Sequence, residues 1–312
     1  MSLRSANKIM IQRKELIMNK VIMHINYAEV FSDSYGKKTV DDICRQAAEI
    51  GFDGIEFRGG LPKELESLSF KEYANQIAEG KKEYGLSEIL FGISVRSCTS
   101  EDKEEREKNI AEAILKAKIA NDVCGTTVCN TLGSPIKSSI PTASKGACEF
   151  HGSAVATQRD WDLTVEAFSK IGREIEKIGM RFGFETHPKY IHDTPEMSKK
   201  LVDIIGSSAI GINMDYGNTV YFPGHPSVEE AIDIYDDKLF HTHLKNSTPI
   251  PGTRARMATS LGDGEINHRA YLAKLKEIGY TGPIGVEAPR GGDRAWFAQQ
   301  DFNYLKSVID SM

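Results

Sequence analysis

The sequence predicts an α/β fold, a single (β/α)8 TIM barrel, on three observations. Short apolar runs alternate with longer amphipathic segments from Val21 onward, eight strand-like runs can be counted, and most connections between them are short. An open doubly wound sheet is the competing arrangement, but no GxGxxG or GxxxxGK[ST] follows any of the runs.

Taken in order, the first strand is VIMHIN from Val21, and Val40, Ile43, Cys44 and Ala47 then keep helical spacing behind Thr39 and Asp42, a helix-start signature. DGIEFR from Asp53 and ILFGISVR from Ile89 are the second and third strands, followed by the stripe Ile110, Ala113, Ile114 and Ala117. After TTVCN from Thr126, a stretch rich in Ser, Thr, Pro, Gly and Lys runs from Leu132 to Gln158, and a loop of that length is expected to be a lid or binding loop. Phe168, Ile171, Ile175 and Ile178 form the next stripe, ahead of the fifth strand RFGFETH from Arg181. Thr194 with Pro195 starts a helix, and IGINMD from Ile210, LFHTHLK from Leu239 and PIGVEA from Pro283 complete the set.

No linker, repeat or low-complexity tract divides these units, so one barrel domain over residues 18–312 is expected, preceded by an extension or expression remnant over residues 1–17. That opening stretch is basic but interrupts its apolar residues with Gln, Arg, Lys and Glu, unlike a signal peptide. No run approaches the roughly 18 apolar residues of a membrane span, so no membrane partner is expected. With 39 Lys plus Arg against 44 Asp plus Glu, the net charge of -5 argues against a nucleic-acid partner. Five cysteines at irregular spacing fit no disulfide framework and point to a reducing, cytoplasmic setting.

Side chains alternate across a strand, so each run sorts into two faces. Phe182 and Phe184 oppose Gly183 and Glu185; Ile210, Ile212 and Met214 oppose Gly211, Asn213 and Asp215; Ile284 and Val286 oppose Gly285 and Glu287. The large apolar face must meet the helices, which turns the small and acidic face into the barrel, and His241, His243 and Lys245 are assigned inward as well. Glu185, Asp215, His243 and Glu287 therefore sit at the C-terminal ends of strands five to eight, where barrels of this kind place their active sites. Three converging carboxylates repel one another and pay desolvation, and a divalent cation removes the difficulty. One imidazole with three carboxylates suits Mn²⁺ or Mg²⁺ and tolerates Co²⁺ or Zn²⁺.

The same parity turns His24, Glu56 and Arg96 inward from strands one to three, as substrate contacts or as a salt-bridge layer, while the mixed parity of strand four leaves Asn130 undecided. His187 contacts substrate or caps its loop; Lys245 stabilises an oxyanion or pairs with a carboxylate; Arg290 meets substrate or is a surface residue of a Gly-rich loop.

The segments GFDGIEFRGG from Gly51, FGFETHPKYIHDTPE from Phe182, GINMDYGN from Gly211, HTHLKN from His241, GDGEIN from Gly262 and GYTGPIGVEAPRGG up to Gly292 resemble the xylose-isomerase-like TIM-barrel family, often labelled sugar phosphate isomerase/epimerase. The resemblance spans nearly the whole chain from Val21. Members similar to ketose 3-epimerases bind one divalent metal through a Glu, an Asp, the second His of an HxH pair and a Glu of the last strand. Carried over, these ligands are Glu185, Asp215, His243 and Glu287.

Two positions depart from that pattern: where those epimerases place a His three residues after the metal Asp stands Asn218, and where they place an Arg six residues after the metal His stands Pro249, with Arg254 and Arg256 further on. The resemblance and the site together imply a metal-dependent sugar or polyol isomerase or epimerase that forms an enediolate, with Glu185 and Glu287 moving the proton and Asn218 near the substrate. A dehydratase of an inosose- or dehydroshikimate-like substrate is the alternative; an endonuclease IV-like repair enzyme and a non-catalytic sugar-binding barrel are remoter ones. A small sugar or polyol is the expected partner, and a homo-oligomer is compatible with the fold.

Overall fold

The structure is a computed structural model that describes residues 19–28, 39–61, 65–136, 144–288 and 290–312. The extension assigned to residues 1–17 lies outside the described residues, as does the 137–143 part of the long loop after strand four.

Eight parallel strands close into one barrel: β1 (Val21–His24), β2 (Gly54–Arg58), β3 (Glu88–Gly92), β4 (Val128–Thr131), β5 (Arg181–Glu185), β6 (Ile210–Asp215), β7 (Leu239–Leu244) and β10 (Ile284–Val286). Each pairs with its neighbour in sequence, and β10 pairs back onto β1. Two further strands, β8 (Asn246–Pro249) and β9 (Arg256–Thr259), form an antiparallel hairpin beyond the end of β7 that the sequence pattern did not announce.

Nine helices occur among the described residues: α1 (Val40–Ile50), α2 (Phe70–Tyr84), α3 (Lys103–Cys124), α4 (Gln158–Glu176), α5 (Pro195–Ile205), the single turn α6 (Tyr216–Thr219), α7 (Val228–Tyr235), α8 (His268–Glu277) and α9 (Arg294–Asp310). Their starts are chemically specified. Thr39 caps α1 and closes a reciprocal capping box with Asp42, and Thr194 caps α5 ahead of Pro195, as their sequence signatures require. The stripe through Phe168 runs one step past its helix: α4 ends at Glu176, so Ile178 packs on the core from the following turn.

Face sorting by parity holds where it bears on the site. Phe182, Phe184, Ile210, Ile212 and Met214 are fully buried in the layer between strands and helices, where Phe168 of α4 meets Phe184 at 4.3 Å between ring centroids. Inside the barrel the register sets His24 beside Glu56, Asn130 beside Gly183, Glu185 beside Asn213 and Asp215 beside His243. Gly285 is required there, because a Cβ would come within 2.9 Å of the His243 ring and 3.1 Å of the His241 ring.

His268, at the start of α8, is completely buried, donates from Nδ1 to the Leu261 carbonyl at 3.0 Å, and is pushed down by burial to about 4. Its folded value lies below its unfolded one, so its stabilising contribution is complete above about pH 6.5 and is lost as pH falls toward 4. Urea titrations should therefore show about 2 kcal/mol of stability lost between pH 7 and 5 from this group. His268→Gln should flatten that segment of the pH profile, and an unchanged slope would exclude His268 as its source.

Candidate metal centre

Glu185 ends β5, Asp215 ends β6, His243 lies one residue from the end of β7, and Glu287 follows β10 directly. One donor atom from each lies within 4.8 Å of all the others. His243 Nδ1 is 3.2 Å from Glu287 Oε2 and 3.9 Å from Glu185 Oε2, yet it is buried and makes no well-aligned hydrogen bond. A buried imidazole nitrogen facing carboxylate oxygens without a partner of its own is what a metal ligand offers, so these residues fit a divalent cation.

The other nitrogen of His243 is fixed from behind. Glu56 Oε2 accepts from His243 Nε2 and from His241 Nε2, both at 2.8 Å, so one buried carboxylate orients the HxH pair and leaves Nδ1 of the second histidine toward the cluster. Against its own burial, His243 and His241 hold Glu56 well below the usual carboxylate range. His24, Glu56 and His243 also lie close enough together to be read as a second cation site, although Glu56 Oε2 is already committed to two imidazoles.

Three asparagines hold the carboxylates without adding charge. Asn130 donates to Glu185 Oε2 at 3.0 Å, and Asn26 donates to Glu287 Oε1 at 2.8 Å. Asn218 Nδ2 lies 3.1 Å from Glu185 Oε1, 2.8 Å from Asp215 Oδ2 and 3.1 Å from the Thr186 carbonyl. None of the three was identified from sequence as a support, although the parity of β4 left Asn130 open.

Among the described residues, Lys245 brings the one ammonium in ion-pair contact with the cluster, 2.5 Å from Asp215 and 3.4 Å from Glu287. Its stem passes over Gly217, where a Cβ would lie 2.3 Å from Lys245 Cγ. Of the two roles the sequence left open, pairing with a carboxylate is the one seen. Burial pushes Asp215 up to about 7, with Glu185 and Glu287 adding to the effect and Lys245 opposing it. Against burial, Lys245, His24 and His243 hold Glu287 well below the usual range. Three carboxylates sharing one ammonium leave two negative charges, which a divalent cation balances. Lys145, from the loop after β4, faces the same cluster at longer range; its Nζ lies 5.9 Å from the Tyr221 ring centre, and burial lowers its pKa. Nothing in its local sequence marks it.

The mouth opens into a cavity of about 500 Å³ whose lining includes His24, Glu56, Arg96, Glu185, His187 and Glu287. His187 donates from Nδ1 to the Pro188 carbonyl at 2.6 Å, which leaves Nε2 as an acceptor, and burial pushes the ring down to about 4. Arg290, which the sequence left open between substrate contact and loop residue, is not among the residues lining this cavity; it pairs with Asp301 at 2.8 Å, donates to the Thr259 and Ala288 carbonyls, and stacks on Phe297. The α9 carboxylate and the aromatic ring that capture it are invisible from the EAPRGG segment alone. Asn218 is likewise outside the lining, fully buried beneath the carboxylates.

The sequence profile of xylose isomerase-like TIM barrels matches residues 44–308, and the chain belongs to that family. An inosose dehydratase of Clostridium perfringens is 25% identical over 274 residues, covering 81% of this chain and 84% of the relative. A xylose isomerase-like TIM barrel protein from Mycobacterium smegmatis, solved in complex with magnesium, superposes with a TM-score of 0.70 at 21% identity over 94% of this chain and 97% of that one. D-allulose 3-epimerase from Methylomonas, solved with D-allulose, gives 0.69 at 16% identity over 94% and 98%. No helix among the described residues is long and apolar enough to cross a membrane.

Elemental analysis of Glu185→Gln, Asp215→Asn and His243→Ala is expected to show less bound metal than wild type for each. Glu56→Gln, which loosens the imidazole rather than removing a ligand, should weaken affinity by about tenfold. Wild-type metal content in Asp215→Asn would remove Asp215 from the ligand set.

Proposed function

We propose that the protein is a metal-dependent enzyme that abstracts the proton α to a carbonyl on a small polyhydroxylated substrate, a keto-sugar, inosose or related keto acid. The observation that carries this reading is the cluster of buried Glu185, Asp215 and His243 with the partly exposed Glu287, His243 Nδ1 aimed at the carboxylates and a cavity opening directly onto Glu185 and Glu287. A divalent cation held there, Mn²⁺ or Mg²⁺ before Co²⁺ or Zn²⁺, supplies Lewis acidity toward the substrate carbonyl and its neighbouring hydroxyl.

The remaining work falls to side chains of this chain. Glu287, kept ionised by Lys245 and His243 and held in place by Asn26, takes the proton from the substrate carbon, and the C–H electrons pass into an enediolate. Glu185, gripped at both oxygens by Asn130 and Asn218, serves as ligand and as the second proton-transfer group.

Two outcomes diverge from that common step. Return of a proton gives an isomerase or epimerase; cleavage of the β-carbon to oxygen bond, with the hydroxide leaving as water after protonation, gives a dehydratase. A specific observation favours dehydration: Asn218 stands at the epimerase His position but is turned under the carboxylates, and Pro249, at the Arg position, lies in the outer hairpin. The inosose dehydratase similarity points the same way.

Incubating Mn²⁺-loaded protein with inosose, 3-dehydroshikimate and D-allulose in D₂O distinguishes the outcomes by NMR. Dehydration yields an unsaturated product, whereas epimerisation yields deuterated substrate and its epimer. Glu287→Gln, restored to full metal occupancy, should lose C–H exchange by about 10² or more, because an amide that coordinates cannot accept the proton. Near-wild-type exchange in that variant would leave Glu287 a ligand alone.

A further inference from the structure

The cavity is electrically two-ended. Its inner end is the carboxylate cluster; its outer wall carries Arg58 at the end of β2 and Arg96 in the segment after β3, with Lys116 of α3 beyond them. Lys116 is already neutralised by Glu112 at 2.6 Å, one turn away on the same helix. Arg58 donates to Asn26 Oδ1 at 2.6 Å, and Asn26 in turn holds Glu287, so the outer wall is wired to the inner one. Arg96 has no hydrogen bond or ion pair among the described residues, and its side chain faces the same cavity. Gly59, Gly60 and Gly92 line the wall around Arg58, and among the described residues Gly60 has nothing within 4 Å of where a side chain would begin.

We propose that the substrate is an anion: a polyhydroxylated ring or chain with its carbonyl and adjacent hydroxyl at the metal end and an oxyanion at the outer end, received by Arg96 with Arg58 beside it. This rests on the α-proton-abstraction reading above and narrows it to acidic substrates. The physical basis is charge complementarity along one cavity. A divalent cation would neutralise the inner end, which leaves Arg96 as the guanidinium facing the ligand without an ion-pair partner among the described residues. Guanidinium is the group best shaped for a planar carboxylate or a phosphate, since its parallel N–H donors match paired oxygens. A cavity of about 500 Å³ holds a six-carbon ring with one such substituent. A neutral inosose would leave Arg96 with water as its only partner.

The test is isothermal titration of full-length, Mn²⁺-saturated protein with three probes that share a polyhydroxylated six-membered ring: myo-inositol, which is neutral, quinate, which carries a carboxylate, and myo-inositol 1-phosphate. At least one anionic probe is expected to bind tenfold or more tightly than myo-inositol, and Arg96→Gln should remove most of that preference while Arg96→Lys keeps part of it. Preference for quinate identifies a carboxylate and preference for the phosphate ester a phosphoryl group; either supports the proposal. Equal affinities for all three, no binding of either anion at millimolar concentration, or an anion preference unchanged in Arg96→Gln would overturn it. Metal content, and C–H exchange in D₂O with the ketones inosose and 3-dehydroshikimate, are measured on the same protein preparations. Full metal occupancy with exchange but no anion preference sinks only the acidic-substrate inference, whereas absent metal sinks the reading on which it rests.

Discussion

The structure depends on a problem of charge: three carboxylates are brought together at the barrel's inner end, with a single ammonium among the described residues in contact with them. Parallel strands whose small and acidic residues point inward deliver Glu185, Asp215 and Glu287 to one end of the barrel, and the closure of β10 onto β1 leaves them no freedom to separate. Left alone, such a cluster would destabilise the fold through repulsion and lost hydration. Lys245 relieves part of this, the Asn26, Asn130 and Asn218 amides satisfy oxygens without changing the charge, and a dication held there would complete the balance. The cluster is thus assembled by the backbone topology at a cost that metal binding would offset.

The same economy of charge explains the first histidine of the HxH pair. Glu56 is a further buried carboxylate, and it is tolerated because two imidazoles face one of its oxygens. Removing His241 would leave His243 as the one imidazole hydrogen-bonded to that oxygen among the described residues. Gly285 completes the device by leaving room for both rings, so an element remote from the histidines in sequence is part of their geometry.

Much of this was legible in the sequence because strand parity is a local rule. Alternation alone assigned Glu185, Asp215 and His243 to the interior, and helix caps at Thr39 and Thr194 were readable from neighbouring residues. What stayed hidden is long-range. Asn26 and Glu287 are far apart in sequence and meet only because β1 and β10 pair; Arg290 looked available until Asp301 of α9 captured it; Lys145 approaches on a loop with no periodic signature. Neutral amides are the hardest class to read, since an Asn carries no charge pattern and is equally at home in a turn.

The carboxylates and His243 alone do not decide between return of a proton and loss of a hydroxyl, so on the proposed reading the decision falls to the groups around them. In this chain one such position, Asn218, has been drawn into the support of the carboxylates: its donor nitrogen contacts Asp215, Glu185 and the Thr186 carbonyl, leaving no free donor for a substrate hydroxyl. The segment after β7, where an Arg could have reached inward, instead leaves the barrel as the β8–β9 hairpin, and Arg256 there is spent on Glu265, Ser247 and the Val220 carbonyl. On the proposed reading, with both positions on the β6–β7 side committed to structure, recognition of the substrate falls to the opposite wall, where the cavity runs past β2 and β3. Proton transfer and selection of the molecule would then be divided between two sides of the barrel, joined by the Arg58–Asn26–Glu287 hydrogen bonds across the mouth.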